Sequence, residues 1–273
     1  MKRYYFTVFV IFSTLYLILV KTLTISAEEC EDICDRPLPF PHKFYIGPEF
    51  YHVHRTREGG TKQNGWIYGG RLGYERIKRF GLYWGVEGHW AQGSLCGHSG
   101  NGHKLKSTFT DSNVEGRFGY TLQSKCWYQP SFTPYVGIGY AWEKNAYRHP
   151  SPIHLHFLTR FPYWAVGFLS NIEVANNFGV GLNYKAWFMY DARCKVSHDP
   201  EFGSTTLKIQ DKTNHRVELP ITYHYCPPCN HIDIALVPFY ESRHYGRHFS
   251  FPFSFADTKL TIWGVNLQFI YRL

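Results

Sequence analysis

Seven cysteines and fifteen histidines are the residues of this chain best equipped for chemistry. Cys226-Pro227-Pro228-Cys229 has the spacing of a thiol–disulfide pair or of half a zinc site. A redox pair works from a helix N-terminus, which lowers the thiol pKa. Two prolines joining two strand-like stretches describe a rigid turn instead. Zinc needs four ligands, which Cys30 and Cys34 would have to complete; the structural turn is the preferred reading, and no metal is expected. His149, His154 and His156 share one stretch and His244 and His248 another, without the spacing of a catalytic metal site, so they read as polar loop surface. Glu87, His89 and Asp191 supply the carboxylate–imidazole chemistry of a hydrolase. No motif surrounds them, and neither an enzyme activity nor a cofactor is expected.

The remaining chemistry is charge, set in a pattern. Trp66, Tyr68, Leu72 and Tyr74 alternate with Ile67, Gly69, Arg71, Gly73 and Glu75; Leu82, Trp84, Val86 and Trp90 alternate with Tyr83, Gly85, Glu87 and His89. Successive strand residues point to opposite faces, so each stretch has one oily and one wet side. Eight further stretches repeat the pattern, centred near Phe44, Phe118, Ile138, Trp164, Val180, Val217, Ile234 and Leu267. Those near Phe44, Trp164 and Val217 are the weakest, because Pro48, Pro162 and Pro220 remove ladder donors. The expectation is about ten strands, with eight as the alternative.

This register puts Glu49, Glu75, Glu87, Glu115, Glu143, Glu218, Asp233 and Glu241 on the wet faces, together with Arg71, Arg117, Lys185 and Arg272. The connections alternate in length. Short ones fall near 78–81, 122–131, 171–177 and 226–230, long ones near 56–65, 96–106, 147–160, 193–215 and 243–258. Short turns on one side and long loops on the other suit a membrane barrel. The same order puts Cys96 and Cys194 on the long-loop side and Cys30, Cys34, Cys126, Cys226 and Cys229 on the other. A Cys96–Cys194 bridge is expected; five thiols on the other side cannot all pair within one chain.

The N-terminus bears on the compartment. Lys2 and Arg3 precede an apolar run from Val8 to Val20, and Ala27 is a small residue at a plausible cleavage position. That order is a secretory signal peptide, with an uncleaved anchor as the alternative. No later run reaches the ~18–20 apolar residues of a membrane helix. Losing Lys2, Arg3 and Lys21 leaves a mildly basic chain, able to attract anionic lipid heads or polyanions. An exported chain without a basic run is a poor nucleic-acid binder. Aromatics at 19% and a mean hydropathy of −0.32 fit strands with one lipid face and one wet face. The cysteines then imply an oxidising compartment.

Trp263-Gly264-Val265-Asn266-Leu267-Gln268-Phe269-Ile270-Tyr271-Arg272-Leu273 resembles the C-terminal strand signal of bacterial outer-membrane barrels, although it ends in Leu273 rather than Phe. At the level of pattern, Pro41–Leu273 resembles the small bacterial outer-membrane β-barrel family, porin-like or OmpA-type. The cysteine content resembles, more weakly, the chlamydial-type envelope proteins that cross-link their membranes. The resemblance implies an all-β transmembrane antiparallel up-and-down barrel in the bacterial outer membrane. It also implies outer-membrane lipid, the barrel-assembly machinery and disulfide-linked envelope proteins as partners. The expected organisation is a signal peptide at 1–27, a periplasmic lead-in at 28–41 and the barrel at 42–273.

An eight- to ten-stranded barrel is filled by its own side chains, and buried charges must pair. An ion-pair network in the lumen is therefore expected rather than a wide channel. The leading functional expectation is an envelope-structural or surface-interaction role with a narrow pore as a variant. A rim hydrolase, of the kind found among ten-stranded outer-membrane proteases and lipid-modifying barrels, and a soluble periplasmic β-protein are the alternatives.

Overall fold

The structure, a computed structural model, describes residues 41–124, 129–175, 177–225, 232–249 and 254–273. The expected signal peptide and nearly all of the lead-in lie outside the described residues, as do Cys30, Cys34, Cys126, Cys226 and Cys229. The described elements are all strands: β1 (His42–Arg57), β2 (Thr61–Arg76), β3 (Phe80–His98), β4 (Lys104–Gln123), β5 (Ser131–Arg148), β6 (His156–Ala175), β7 (Phe178–Gly181) and β8 (Asn183–Met189). They continue with β9 (Arg193–Asp199), β10 (Gly203–Lys208), β11 (Thr213–Glu218), β12 (Ile221–His224), β13 (Ile232–Tyr245), β14 (His248–Phe249), β15 (Ser254–Phe255) and β16 (Thr258–Arg272).

β1 to β6 pair in sequence, each antiparallel to the next. β6 then pairs with β7 and β8, these with β12 and β11, and those with β13. β13 pairs with β16, and β16 returns to β1. β7–β8 and β11–β12 each act as one interrupted strand, so the circuit has ten staves and no free edge. The two interruptions lie side by side. Pro220 has no N–H to give, and its carbonyl accepts from Gly181 N at 2.8 Å. The three weakest stretches of the sequence, near Phe44, Trp164 and Val217, are the staves β1, β6 and β11–β12.

Alternation sorts the side chains. Outward residues of the lower and middle staves are large, apolar and exposed. The band runs from a lower edge with Phe44, Phe80, Phe132, Tyr223 and Tyr271 to an upper edge with Trp66, Trp90, Trp164, Tyr240 and Trp263. Between those edges each stave spends about nine to eleven residues, what a tilted strand needs to cross a bilayer. Aromatic girdles at both edges are the mark of the two lipid–water interfaces. Above the upper edge the outward residues turn polar, as at Asn64, Gln92, Lys144, Arg160 and Ser242.

The staves do not stop at the girdle. β3 has 19 residues and β4 has 20. This corrects the long loops expected from the sequence. Thr56–Gly65 is mostly strand, turned by Glu58, Gly59 and Gly60, and Cys96–Lys106 is turned by residues 99–103. Gly59 and Gly60 sit at φ +86° and +83°, a conformation that side chains resist. Arg193–His215 holds the β9–β10 hairpin, in which β9 pairs with the upper end of β6. The hydrophobic core lies here, above the lipid band. Phe109, Phe161, Trp187, Leu260 and Ile262 from the staves meet Ala192, Cys194, Val196, Leu207 and Ile209 from the hairpin and its flanks.

Candidate functional site

Inside the staves, chemistry is arranged in three tiers. At the lower mouth, a cavity of about 160 Å³ is lined by residues including Lys43, Glu75, Glu173, Glu218 and His224. His224 Nδ1 lies 2.8 Å from Asp233 and its Nε2 2.9 Å from Glu173, so each ring nitrogen has a carboxylate to donate to. Arg272 donates to the other oxygen of Asp233 at 2.5 Å. These contacts tie β6, β12, β13 and β16 together beside the start of β1, where His42 N donates to Leu273 O at 3.0 Å.

The middle tier is a continuous ion-pair network. Arg71 donates to Glu49 at 2.5 and 3.1 Å and to Glu87 at 2.5 Å. Arg117 donates to the same Glu87 oxygen at 2.8 Å and to Glu115 at 2.6 Å. Lys185 donates to Glu115 at 2.9 Å. Glu75 lies 3.7 Å from Arg117 and accepts from Lys43 at 3.1 Å. Arg216 donates to Glu241 at 3.0 Å and to Glu218 at 2.7 Å, and its guanidinium lies over the Phe239 ring at 3.8 Å. Arg243 grips Asp111 with two bonds of 2.8 Å, also reaches Glu241, and lies 3.7 Å from Glu143.

Tyrosines occupy the remaining lone pairs. Tyr45 donates to Glu87 and Tyr163 to Glu115, each at 2.9 Å; Tyr51 donates to Asp111 at 3.1 Å and Tyr245 to Glu143 at 2.9 Å. Tyr45 fits because Gly73 faces it: a Cβ there would lie 2.3 Å from its ring. A buried charge stripped of water is tolerated only when its partners and remaining lone pairs are supplied, and here planar guanidinium forks supply most of them.

The third tier is the apolar core above. Ile67, Leu95 and Phe109 are each at 0% exposure, so this level holds no room for water beside them. Upward from Glu87 and Arg117, the inward side chains replace solvent first with ion pairs and then with hydrocarbon. The inner face of the β9–β10 hairpin lies across the top.

The network includes residues that the sequence reading did not single out: Asp111, Arg216, Arg243, His224 and Glu173. Asp111 has the same parity as Glu115, Arg216 as Glu218 and Arg243 as Glu241, so carrying the alternation a few residues further would have found them. Asp111 and Arg216 lay outside stretches assigned as strand, and Arg243 began an expected loop.

Other expected residues are not brought together. Cys96 and Cys194 are both free, which corrects the expected bridge. Cys96 points outward from β3 and is exposed, whereas Cys194 points inward from β9 into the core. Burial pushes the Cys194 thiol up to about 11, which makes it a poor nucleophile. His89 is closed inside the lumen, 3.6 Å from Glu49. Asp191 stands outside at the rim, where Arg193 at 2.7 Å holds its carboxyl below the usual range. The Glu87, His89 and Asp191 set is therefore split between the lumen and the outer rim. Among the described residues no group of three or more His, Cys, Asp or Glu side chains is arranged to hold a metal ion.

No protein-family model matches the chain, and no curated protein matches it in sequence. Solved structures match it in fold. The outer membrane protease OmpT from Escherichia coli is 11% identical at a TM-score of 0.51, with 85% of this chain and 96% of that chain covered. The beta domain of the Bordetella autotransporter BrkA is 10% identical at 0.43, covering 85% and 100%. Ail, the attachment invasion locus protein of Yersinia pestis, is 12% identical at 0.35, covering 84% and 98%. The ten closed staves, the lipid-facing band with its two aromatic girdles and the likeness to OmpT agree: this chain has the transmembrane antiparallel fold of the small bacterial outer-membrane β-barrels.

Proposed function

We propose that the chain is an integral barrel of the bacterial outer membrane that neither conducts nor catalyses, and that it acts by presenting its outer end to other surfaces. The observation that carries this reading is the filled lumen. A barrel whose interior is ion-paired and then packed with hydrocarbon has its variable surface at the top, where the β9–β10 hairpin rises on a rigid wall. Loops on rigid scaffolds are where recognition sits. A soluble periplasmic protein would not present so many exposed aromatic side chains in one band. The split between His89 and Asp191 argues against a rim hydrolase built on that set. In this reading β16 carries the signal for the barrel-assembly machinery, and the exposed Cys96 is the described thiol within reach of another envelope protein.

The tips carry the surface. Asp199 Oδ1 accepts from Glu201 N at 2.9 Å and from Phe202 N at 2.8 Å, which fixes the hairpin turn and holds Phe202 out, 41% exposed. Phe249, 68% exposed, is held out on β14 with the Arg247 guanidinium over its ring. A laboratory bacterium displaying the chain should gain adhesion to cultured epithelial cells or matrix-coated plates. Phe202→Ser with Phe249→Ser should remove that gain while heat-modifiable gel migration stays intact. Adhesion that persists undiminished in the double variant would exclude the proposed surface.

A further inference from the structure

The outer wall over β3, β4, β5 and β6 carries two features that fit one molecule. Inside the lipid-facing band lies a groove of about 540 Å³, lined by Trp84, Val86, Gly116, Phe118, Ile138 and Trp164. Its floor is Gly116, where an added Cβ would meet nothing within 4 Å. Its Trp164 wall is fixed, because that indole stacks on Phe188 at 4.2 Å and 17°. Arg117, also in the lining, turns its guanidinium inward to Glu87 and Glu115, so the face left to the groove is almost wholly apolar and suits hydrocarbon.

Directly above the upper girdle the same strands turn cationic. Arg160 on β6 pairs in register with Trp142 on β5, and Lys144 stands one outward position further up β5. Arg160 and Lys144 are both exposed. The outward positions of β4, β5 and β6 also carry Lys104, Lys106 and Arg148, and none of these outward positions is a carboxylate; Asp111, Glu115, Glu143 and Glu173 all point inward. Asp191, outside at the rim next to β9, is held by Arg193 at 2.7 Å and lies 3.6 Å from Lys208, so Arg160 and Lys144 take their counter-charge from the surroundings. At this height the surroundings are the headgroups of a bilayer leaflet. Arg160 is four residues above Trp164 on the same face, roughly 13 Å along the strand. That is a distance an acyl chain and its headgroup span.

We propose that this wall holds one anionic, phosphorylated lipid of the outer leaflet. Its acyl chain lies in the groove between Trp84 and Trp164, and its phosphate is bound by Arg160 and Lys144. A guanidinium matches a phosphate with two parallel donors, and the indoles sit where Trp sits at membrane interfaces. The site rests on the lipid-facing band and is independent of whatever the outer tips recognise.

The test uses the full barrel reconstituted in phosphatidylcholine vesicles containing a minor fraction of phosphatidylglycerol. The protein is extracted gently, and retained lipid is counted by native mass spectrometry. The wild-type chain should retain phosphatidylglycerol in preference to phosphatidylcholine. Arg160→Glu with Lys144→Glu should lower that preference by roughly tenfold or more, about fivefold for each basic side chain lost at a membrane surface. Gly116→Phe fills the groove without touching the cations and should lower retention of phosphatidylglycerol as well. Both variants lie on the outer wall, and heat-modifiable migration checks that they fold. Equal retention of the two lipids by the wild type overturns the proposal without recourse to any variant. So does an unchanged preference in the charge-reversed barrel, or unchanged retention with Phe in the groove. If tip substitutions abolish adhesion and lipid retention stays intact, the two readings separate cleanly.

Discussion

Replacing Arg243 by methionine is expected to destabilise the barrel by about 3–5 kcal/mol, the cost of removing one partner from a buried ion pair. Methionine fills much of the same space, so little of this loss is packing. Arg243 satisfies Asp111 with two bonds of 2.8 Å, bonds Glu241 and faces Glu143 at 3.7 Å. Without it, Asp111 keeps only the Tyr51 hydroxyl among these contacts, and Glu143 keeps Tyr245. Glu241 still has Arg216. The sharpest deficit is therefore at Asp111. Adding Asp111→Asn to Arg243→Met should restore part of the loss, because the group left behind is then neutral. Urea unfolding in detergent micelles, followed by tryptophan fluorescence, measures both. Arg148→Met is the control: Arg148 is exposed and, among the described residues, donates only to Ser94, so the midpoint should not move. A loss below about 1 kcal/mol for Arg243→Met would mean that the lumen is wet, since hydration is what makes a broken pair cheap.

The second large effect concerns the outer wall. Leu236→Arg should cost about 2–4 kcal/mol, the penalty for a basic side chain at the bilayer midplane of a barrel. Leu236 is 46% exposed on β13, midway between Ile232 at the lower edge of the band and Tyr240 at the upper. Ser242→Arg, one outward position above Tyr240 on the same strand, should cost nothing measurable. The pair locates the membrane by energy rather than by pattern. Refolding into vesicles, with unfolding followed by urea titration, reads both variants. Equal effects at the two positions would put the upper girdle somewhere other than at Tyr240.

The sequence showed the fold more plainly than it showed the site, and the reason is physical. A lipid face and a packed lumen make alternation nearly obligatory along each crossing, so Trp66–Tyr74 and Trp263–Tyr271 declare themselves by period alone. The prolines that weakened β1 and β6 cost single ladder bonds, and the flanking aromatics still set the face. Strand length was not legible. Above the girdle the outward residues become polar, as at Gln92, Lys106 and Lys144, and a strand that is polar outside and mixed inside looks like a loop. For the same reason Asp111 and Arg216 fall outside the expected strands, and the β9–β10 hairpin falls within an expected long connection. Cysteine pairing was equally hidden. Cys96 and Cys194 do lie on neighbouring levels of the same end, but one faces solvent and the other the core, a distinction set by a single residue of register. The groove at Gly116 could not be read at all, because it arises from a glycine on β4 and the side chains around it on β3, β5 and β6.

The central claim is that no aqueous path crosses the barrel: above the lower cavity, ion pairs close its membrane-spanning part, and Phe109, Phe161, Trp187 and the hairpin fill the part above. Single-channel recording from the purified, refolded chain in a planar lipid bilayer tests this directly. The account predicts a silent membrane at every applied voltage the bilayer tolerates, with insertion verified by heat-modifiable migration of the same sample. Discrete, ohmic conductance steps that scale with the amount of protein added would contradict it.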